Sequence, residues 1–144
     1  MTRIFSVVGK SKRGKTTLLT QLIRLLKQKG YTVCVIKHSD QLLTFRDFDH
    51  KGKDTFTFSE AGADEVWLTA PSVTYHLHSE ETALHKILET LKTDFIFTEG
   101  FKQADTQKIV LRKPGEDITV KGDVLVTIEG EYDPEEILEL LIHS

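Results

Sequence analysis

Gly9-Lys10-Ser11-Lys12-Arg13-Gly14-Lys15-Thr16 is the stretch on which the reading of this chain turns. It matches the Walker A pattern, in which glycines let a loop fold so that its N–H groups converge on phosphate oxygens. Upstream, Ile4 to Val8 is a short apolar run of the kind found in buried parallel strands. Downstream, Leu18, Leu19, Leu22, Ile23, Leu25 and Leu26 recur at helical spacing from Thr16 to Lys29, and Gly30 supplies a stop. A strand, a glycine loop and a helix in that order are the setting the motif needs. Each residue then has an assigned task. Gly9 and Gly14 give the backbone its unusual angles and close approach, Lys15 reaches the β- and γ-phosphates, and Thr16 offers a hydroxyl to Mg2+. Lys10, Ser11, Lys12, Arg13 and Thr17 complete the expected nucleotide-binding set. The helix aims its positive end and unpaired N–H donors at the same anion.

Working outward, Thr32 to Ile36 reads as a second buried strand, so the class is α/β with a parallel crossover. From His38 to Gly62 the periodicity lapses and acidic residues accumulate, including Asp40, Asp47, Asp49 and Asp54; this is read as a functional loop. Strands are expected at Glu65 to Thr69, Thr74 to His78, Phe95 to Thr98, Ile109 to Arg112, Ile118 to Val120 and Val124 to Ile128. Helices are expected at Glu81 to Leu91, capped by Ser79, and at Glu135 to Ile142, opened by Pro134. With 144 residues, one domain spanning 1–144 is expected: a three-layer arrangement with a mostly parallel central sheet flanked by helices.

Composition narrows the function classes. The chain is 39% hydrophobic and 28% charged, as folded domains are, and its net charge of -3 argues against a nucleic-acid partner. No apolar stretch approaches the roughly 18 residues of a membrane span, and no signal segment is evident, so a cytoplasmic protein without a membrane partner is expected. The single cysteine, Cys34, lies in an apolar run and reads as a small buried hydrophobe. None of the six histidines falls into a metal-ligand spacing, although His76 and His78 would share one strand face.

Phosphoryl chemistry also needs a carboxylate near the metal, commonly at the end of a neighbouring buried strand. Glu99, directly after Phe95 to Thr98, and Asp49, in the polar loop, are the candidates to join Thr16 around Mg2+. Lys10 has a second reading, as a residue reaching the nucleotide of a dimer partner, set against Lys10, Lys12 and Arg13 all being solvated loop charges that raise the local positive potential. Base choice is not written in the motifs: the chain has no asparagine, hence no Asn-Lys-x-Asp guanine reader, and guanine and adenine both stay open.

The phosphate loop, Lys37-His38, Asp49, Gly52-Lys53-Asp54-Thr55 leading to Ala61-Gly62-Ala63, and Thr98-Glu99-Gly100-Phe101-Lys102 together resemble the MobB family over residues 3 to 113. Members are adapter proteins of molybdopterin guanine dinucleotide biosynthesis. The resemblance implies GTP binding with slow hydrolysis, a homodimer, and association with MobA, the guanylyltransferase, with molybdopterin as a further ligand. It implies that Gly14, Lys15 and Thr16 hold phosphate and Mg2+, that Asp49 and Glu99 lie near the metal, and that Asp54 steadies the site loop. Two departures stand out: Ser39, Asp40 and Gln41 follow His38 where the family often has a second histidine, and Lys12-Arg13 replaces small polar residues. Two competing readings are an ATP-dependent small-molecule kinase and a pure interaction module with a vestigial loop.

Overall fold

The structure, a computed structural model, describes residues 2–39 and 53–144. These residues form two compact units, one built from the chain up to His38 and from Leu91 onward, the other from Ser39 to Thr90.

The first unit is organised by a five-stranded sheet. Its strands are β1 (Arg3–Val8), β2 (Val33–Lys37), β5 (Phe95–Glu99), β6 (Gln107–Leu111) and β7 (Val124–Ile128), in the spatial order β2-β5-β1-β6-β7. Every pairing within it is parallel. β1 occupies the centre, and β2 and β7 are the edges. β2 therefore departs from the expected buried strand: Val35 is exposed and Cys34 only partly buried, because an edge strand has a neighbour on one side alone. Partial burial still pushes the Cys34 thiol pKa up.

Two helices pack on the sheet, α1 (Lys15–Gln28) and α4 (Pro134–Ile142). Period-two strands and a period-3.6 helix meet in one core. Phe5 and Val7 of β1, Phe95 and Phe97 of β5, and Ile109 and Leu111 of β6 face Leu18, Leu22 and Leu26 of α1 and Leu138 and Leu141 of α4, all buried. Phe5 sits between Phe95 and Phe97 with ring centroids 6.5 and 6.2 Å away. α4 starts as its sequence indicates: Asp133 caps it by accepting from Glu135 N–H, and Pro134 fills the first turn where no backbone donor is needed.

On the opposite sheet face three polar side chains are fully buried, Ser6, Thr98 and Lys108. They are joined in a chain. Thr98 Oγ1 donates to Ser6 Oγ at 2.6 Å, Ser6 and Thr106 share a 2.5 Å hydroxyl contact, and the Lys108 ammonium donates to Thr106 Oγ1 (2.8 Å), Thr106 O (2.6 Å) and Ala104 O (2.5 Å). Three acceptors match the three N–H donors of an ammonium, which is how a buried lysine is tolerated even though desolvation lowers its pKa.

The second unit holds α2 (Lys53–Glu60), the antiparallel pair β3 (Glu65–Ala70) and β4 (Val73–His78), and α3 (Leu84–Thr90). α2 lies inside the segment expected to be aperiodic loop. Its alternating Thr-Phe-Thr-Phe run carries a strand-like period, so no local signal announces a helix. The Ala61-Gly62-Ala63 stretch closes α2, with Gly62 N–H on Ser59 O and Ala63 N–H on Phe58 O. Two further expectations are corrected. Residues 118–120 form no strand, and Ser79 does not cap α3 but donates its hydroxyl to Ala63 O. As expected, His76 and His78 share a face, with His76 stacked on Trp67 at 3.8 Å and paired to Glu65 at 2.8 Å.

Replacing Lys108 with Met keeps the volume and removes the donors, so the part-buried Thr106 carbonyl loses the ammonium and the Ala104 carbonyl keeps only its bond from Thr106 N–H. Urea unfolding followed by circular dichroism should show a loss of about 1–3 kcal/mol. A loss below about 0.5 kcal/mol would mean that the ammonium contributes little to holding residues 104–106.

Candidate functional site

The carboxyl ends of β1, β2 and β5 open onto one cleft of about 540 Å³ in the first unit. Its lining comes from three turns: Ser11, Lys12, Gly14, Lys15, Thr16 and Thr17 after β1, Lys37 and His38 at the end of β2, and Glu99 and Gly100 at the end of β5. A cleft beyond the carboxyl ends of parallel strands is the usual ligand position in such sheets.

The loop shape follows from its glycines, but by two different routes. Gly14 has φ +87°, ψ 18°, a left-handed conformation that turns the chain into α1. Gly9 has no such angle. It is needed for space, since a Cβ there would lie 2.5 Å from the Leu111 carbonyl oxygen of β6. Close packing of loop against neighbouring strand, rather than an unusual backbone angle, is the reason for glycine at position 9. Lys12, with φ +60°, is held in the left-handed region without being glycine, a strained conformation of the kind that gathers at binding sites.

α1 begins without help. Gly14 is its N-cap, no side chain accepts from the first turn, and no acidic residue lies in that turn. The uncapped N–H groups and the positive end of the helix dipole thus face the cleft, ready for an anion. Lys15 Nζ meanwhile donates to Gly9 O at 2.9 Å, a neutral acceptor that a phosphate oxygen would outcompete. Lys12 and Lys37 add positive charge to the lining. Lys37 is largely exposed, and its 3.9 Å pairing with Glu99 contributes little to stability.

Among the described residues Glu99 is the carboxylate of the cleft. Register places it beside Val7 of β1 and Lys37 of β2, and its side chain is only 15% exposed. Together with the Thr16 hydroxyl it offers the hard oxygen donors that Mg2+ prefers, so the donor set fits a magnesium–triphosphate pair. Next to it, Gly100 and Phe101 both have positive φ, and the Phe101 ring lies 5.4 Å from that of His38. Asp49 lies outside the described residues, and among the described residues no group of three metal-ligating side chains occurs.

Two charged side chains of the expected nucleotide-binding set share a partner outside the cleft lining. Arg13 and Lys10 do not line the cleft; both are held by Glu116, a residue of the turn after β6 that sequence reasoning passed over. Arg13 Nε and Nη2 donate to the two carboxylate oxygens at 2.9 and 3.0 Å, Lys113 N–H donates at 2.6 Å, and Lys10 lies at 3.4 Å. The Arg13 fork and the Lys113 N–H hold the Glu116 carboxyl down to about 2. Nothing in local sequence links positions 13 and 116; the β1–β6 pairing brings them together.

The MobB family model, described as Molybdopterin guanine dinucleotide synthesis protein B, matches residues 4–128. A Haemophilus influenzae protein named as a molybdopterin-guanine dinucleotide biosynthesis adapter protein is 34% identical over 116 residues, 76% of this chain and 63% of that protein. Its Escherichia coli counterpart is 35% identical over 109 residues, 71% of this chain and 61% of its own. The chain thus spans about three fifths of the curated relatives it matches. The crystal structure of Bacillus subtilis MobB superposes with a TM-score of 0.79 at 25% identity, covering 96% of this chain and 98% of that one. Another structure, titled as molybdopterin-guanine biosynthesis protein B, gives 0.77 at 26% identity and 97% coverage of each. The matched span takes in both the phosphate loop and the β5 end that together form the cleft, and the chain belongs to the MobB family.

Proposed function

We propose that this chain is a GTP-binding adapter of molybdopterin guanine dinucleotide biosynthesis, acting as a homodimer beside a MobA-like guanylyltransferase in the cytoplasm and hydrolysing GTP slowly. The observation that carries the nucleotide half is the convergence of Lys15, Thr16 and Glu99 on one cleft at an uncapped helix start. The adapter half is supported by the names of the relatives. Among the described residues no helix is long and apolar enough to cross a membrane, in keeping with this setting.

In this reading Gly14, Lys15, Thr16 and Thr17 hold the phosphates through the helix start and the Lys15 ammonium, while Lys12 and Lys37 raise the local positive potential. Thr16 and Glu99 hold Mg2+, with Asp49 as a further ligand. Bound magnesium would neutralise charge on the phosphates. Slow hydrolysis fits a cleft whose described carboxylate is engaged with Lys37 and whose nearby arginine, Arg13, is turned away from it. A small-molecule kinase would need the same loop, so base preference and the effect of an acceptor on turnover separate the two readings.

Calorimetric titration with GTP and with ATP, each in Mg2+, tests the proposal. Selective GTP uptake is expected, whereas selective ATP uptake would favour the kinase. Lys15→Ala should weaken triphosphate binding on the order of a hundredfold, since it removes the charged donor to the phosphates; unchanged affinity would refute the loop assignment. Glu99→Gln should leave magnesium-free binding near wild type and shrink the gain from adding Mg2+. An equal loss with and without the metal would place Glu99 outside the ion's reach.

A further inference from the structure

The phosphate loop carries more cations than the cleft uses. Lys12 and Lys15 line it, whereas Lys10 and Arg13 turn outward to one carboxylate. We infer that Glu116 is a positioning residue for nucleotide binding: by gripping Arg13 and Lys10 from the turn after β6, it fixes the Ser11–Gly14 backbone in the shape that receives phosphate.

The contact differs from an ordinary surface ion pair, which contributes little because its side chains move freely in solvent. Arg13 binds through both arms of its fork, a geometry that specifies position as well as charge. Its side chain is 20% exposed and that of Glu116 14%. Arg13 Nη1 also donates to Ser11 O, so one guanidinium ties the loop to itself and to Glu116. The anchor is fixed in turn. Glu116 N–H donates to Lys113 O, the Glu116 carbonyl accepts from Arg112 Nη1 at 3.2 Å, and Arg112 Nε is paired with Glu129 at 2.7 Å. A carboxyl held down to about 2 stays ionised across the working range, so the grip does not come and go with pH.

Such a brace answers a specific need. The loop contains a non-glycine residue in the left-handed region, and between the buried Val8 and the buried Leu18 it has no buried hydrophobic side chain of its own. Without an external tie it would have to be ordered when ligand arrives, at a cost in affinity. Turning two cations outward also lowers like-charge repulsion around Lys12 and Lys15 before the anion binds.

The functional half of this inference rests on the nucleotide reading above, and the bracing half does not. The test therefore uses Glu116→Gln, Arg13→Gln and the double variant of the whole chain, with two readouts. Hydrogen exchange of the peptide covering residues 9–17, without nucleotide, reads the brace directly; GTP titration in Mg2+ reads its consequence. Each single variant should speed exchange and raise Kd about tenfold, and the double variant should be no worse than either single, since both remove the same contact. Arg13→Lys, which keeps the charge but loses the fork, should fall between. Unchanged exchange in Glu116→Gln would overturn the brace. Tighter GTP binding in Glu116→Gln would also overturn it, by showing that Arg13 and Lys10 reach phosphate once released. So would multiplied losses in the double variant, which would make Arg13 an independent ligand contact. Failure of the wild-type chain to bind GTP would refute the nucleotide reading instead, leaving the exchange result to decide the brace.

Discussion

The first turn of α1 has donors without acceptors, and the rest of the first unit can be understood as the frame that keeps it so. A helix start is normally capped by a side-chain oxygen or met by an acidic residue in its first turn. Here Gly14 supplies neither, and the donors face a cleft edged by three cationic side chains. Leaving a helix end in that condition is tolerable where water or a ligand can satisfy it. The hydrophobic burial of Leu18, Leu19, Leu22 and Leu26 one turn further on stabilises the helix independently of its open end.

Parallel pairing is what brings the other participants to the same place. All five strands of the sheet run the same way, so their carboxyl ends emerge together. β5 lies directly beside β1 and delivers Glu99, while β2, on the far side of β5, delivers Lys37. β6 flanks β1 on the other side, close enough that its Leu111 carbonyl excludes a Cβ at position 9, and the turn after it carries Glu116 to Arg13. One flank of the loop is thus occupied by the candidate metal carboxylate and the other by the brace. The charges divide accordingly: Lys12, Lys15 and Lys37 are directed to the cleft, and Lys10 and Arg13 away from it.

The buried polar chain from Thr98 through Ser6 and Thr106 to Lys108 belongs to the same frame. It links β5, β1 and the start of β6 on the face away from α1, and fastens residues 104–106 by an ammonium with all three donors used. Among the described residues no buried side-chain donor or acceptor is left without a partner. Polar groups in a sheet interior are costly unless fully connected, and a connected set constrains how the strands and the following loop can lie.

The sequence alone determined those features that depend on neighbours along the chain. The strand–loop–helix unit, the carboxylate at the end of the Phe95 strand, the α/β class and the Asp133–Pro134 helix start are all local patterns, because hydrophobic period, glycine placement and capping act over a few residues. The family resemblance was legible for a related reason, since its motifs are short stretches. What acts across the sheet was decided only by tertiary structure. β2 looked buried by composition and became an edge; α2 carried a strand-like alternation and became a helix; Gly9 matched a motif for one reason and was required for another. Arg13 read as either a nucleotide contact or a solvated loop charge, and the ion partner that the fold gives it lies 103 residues away. Strand order sets such pairings, and no periodicity within a single segment encodes which strand will lie beside which.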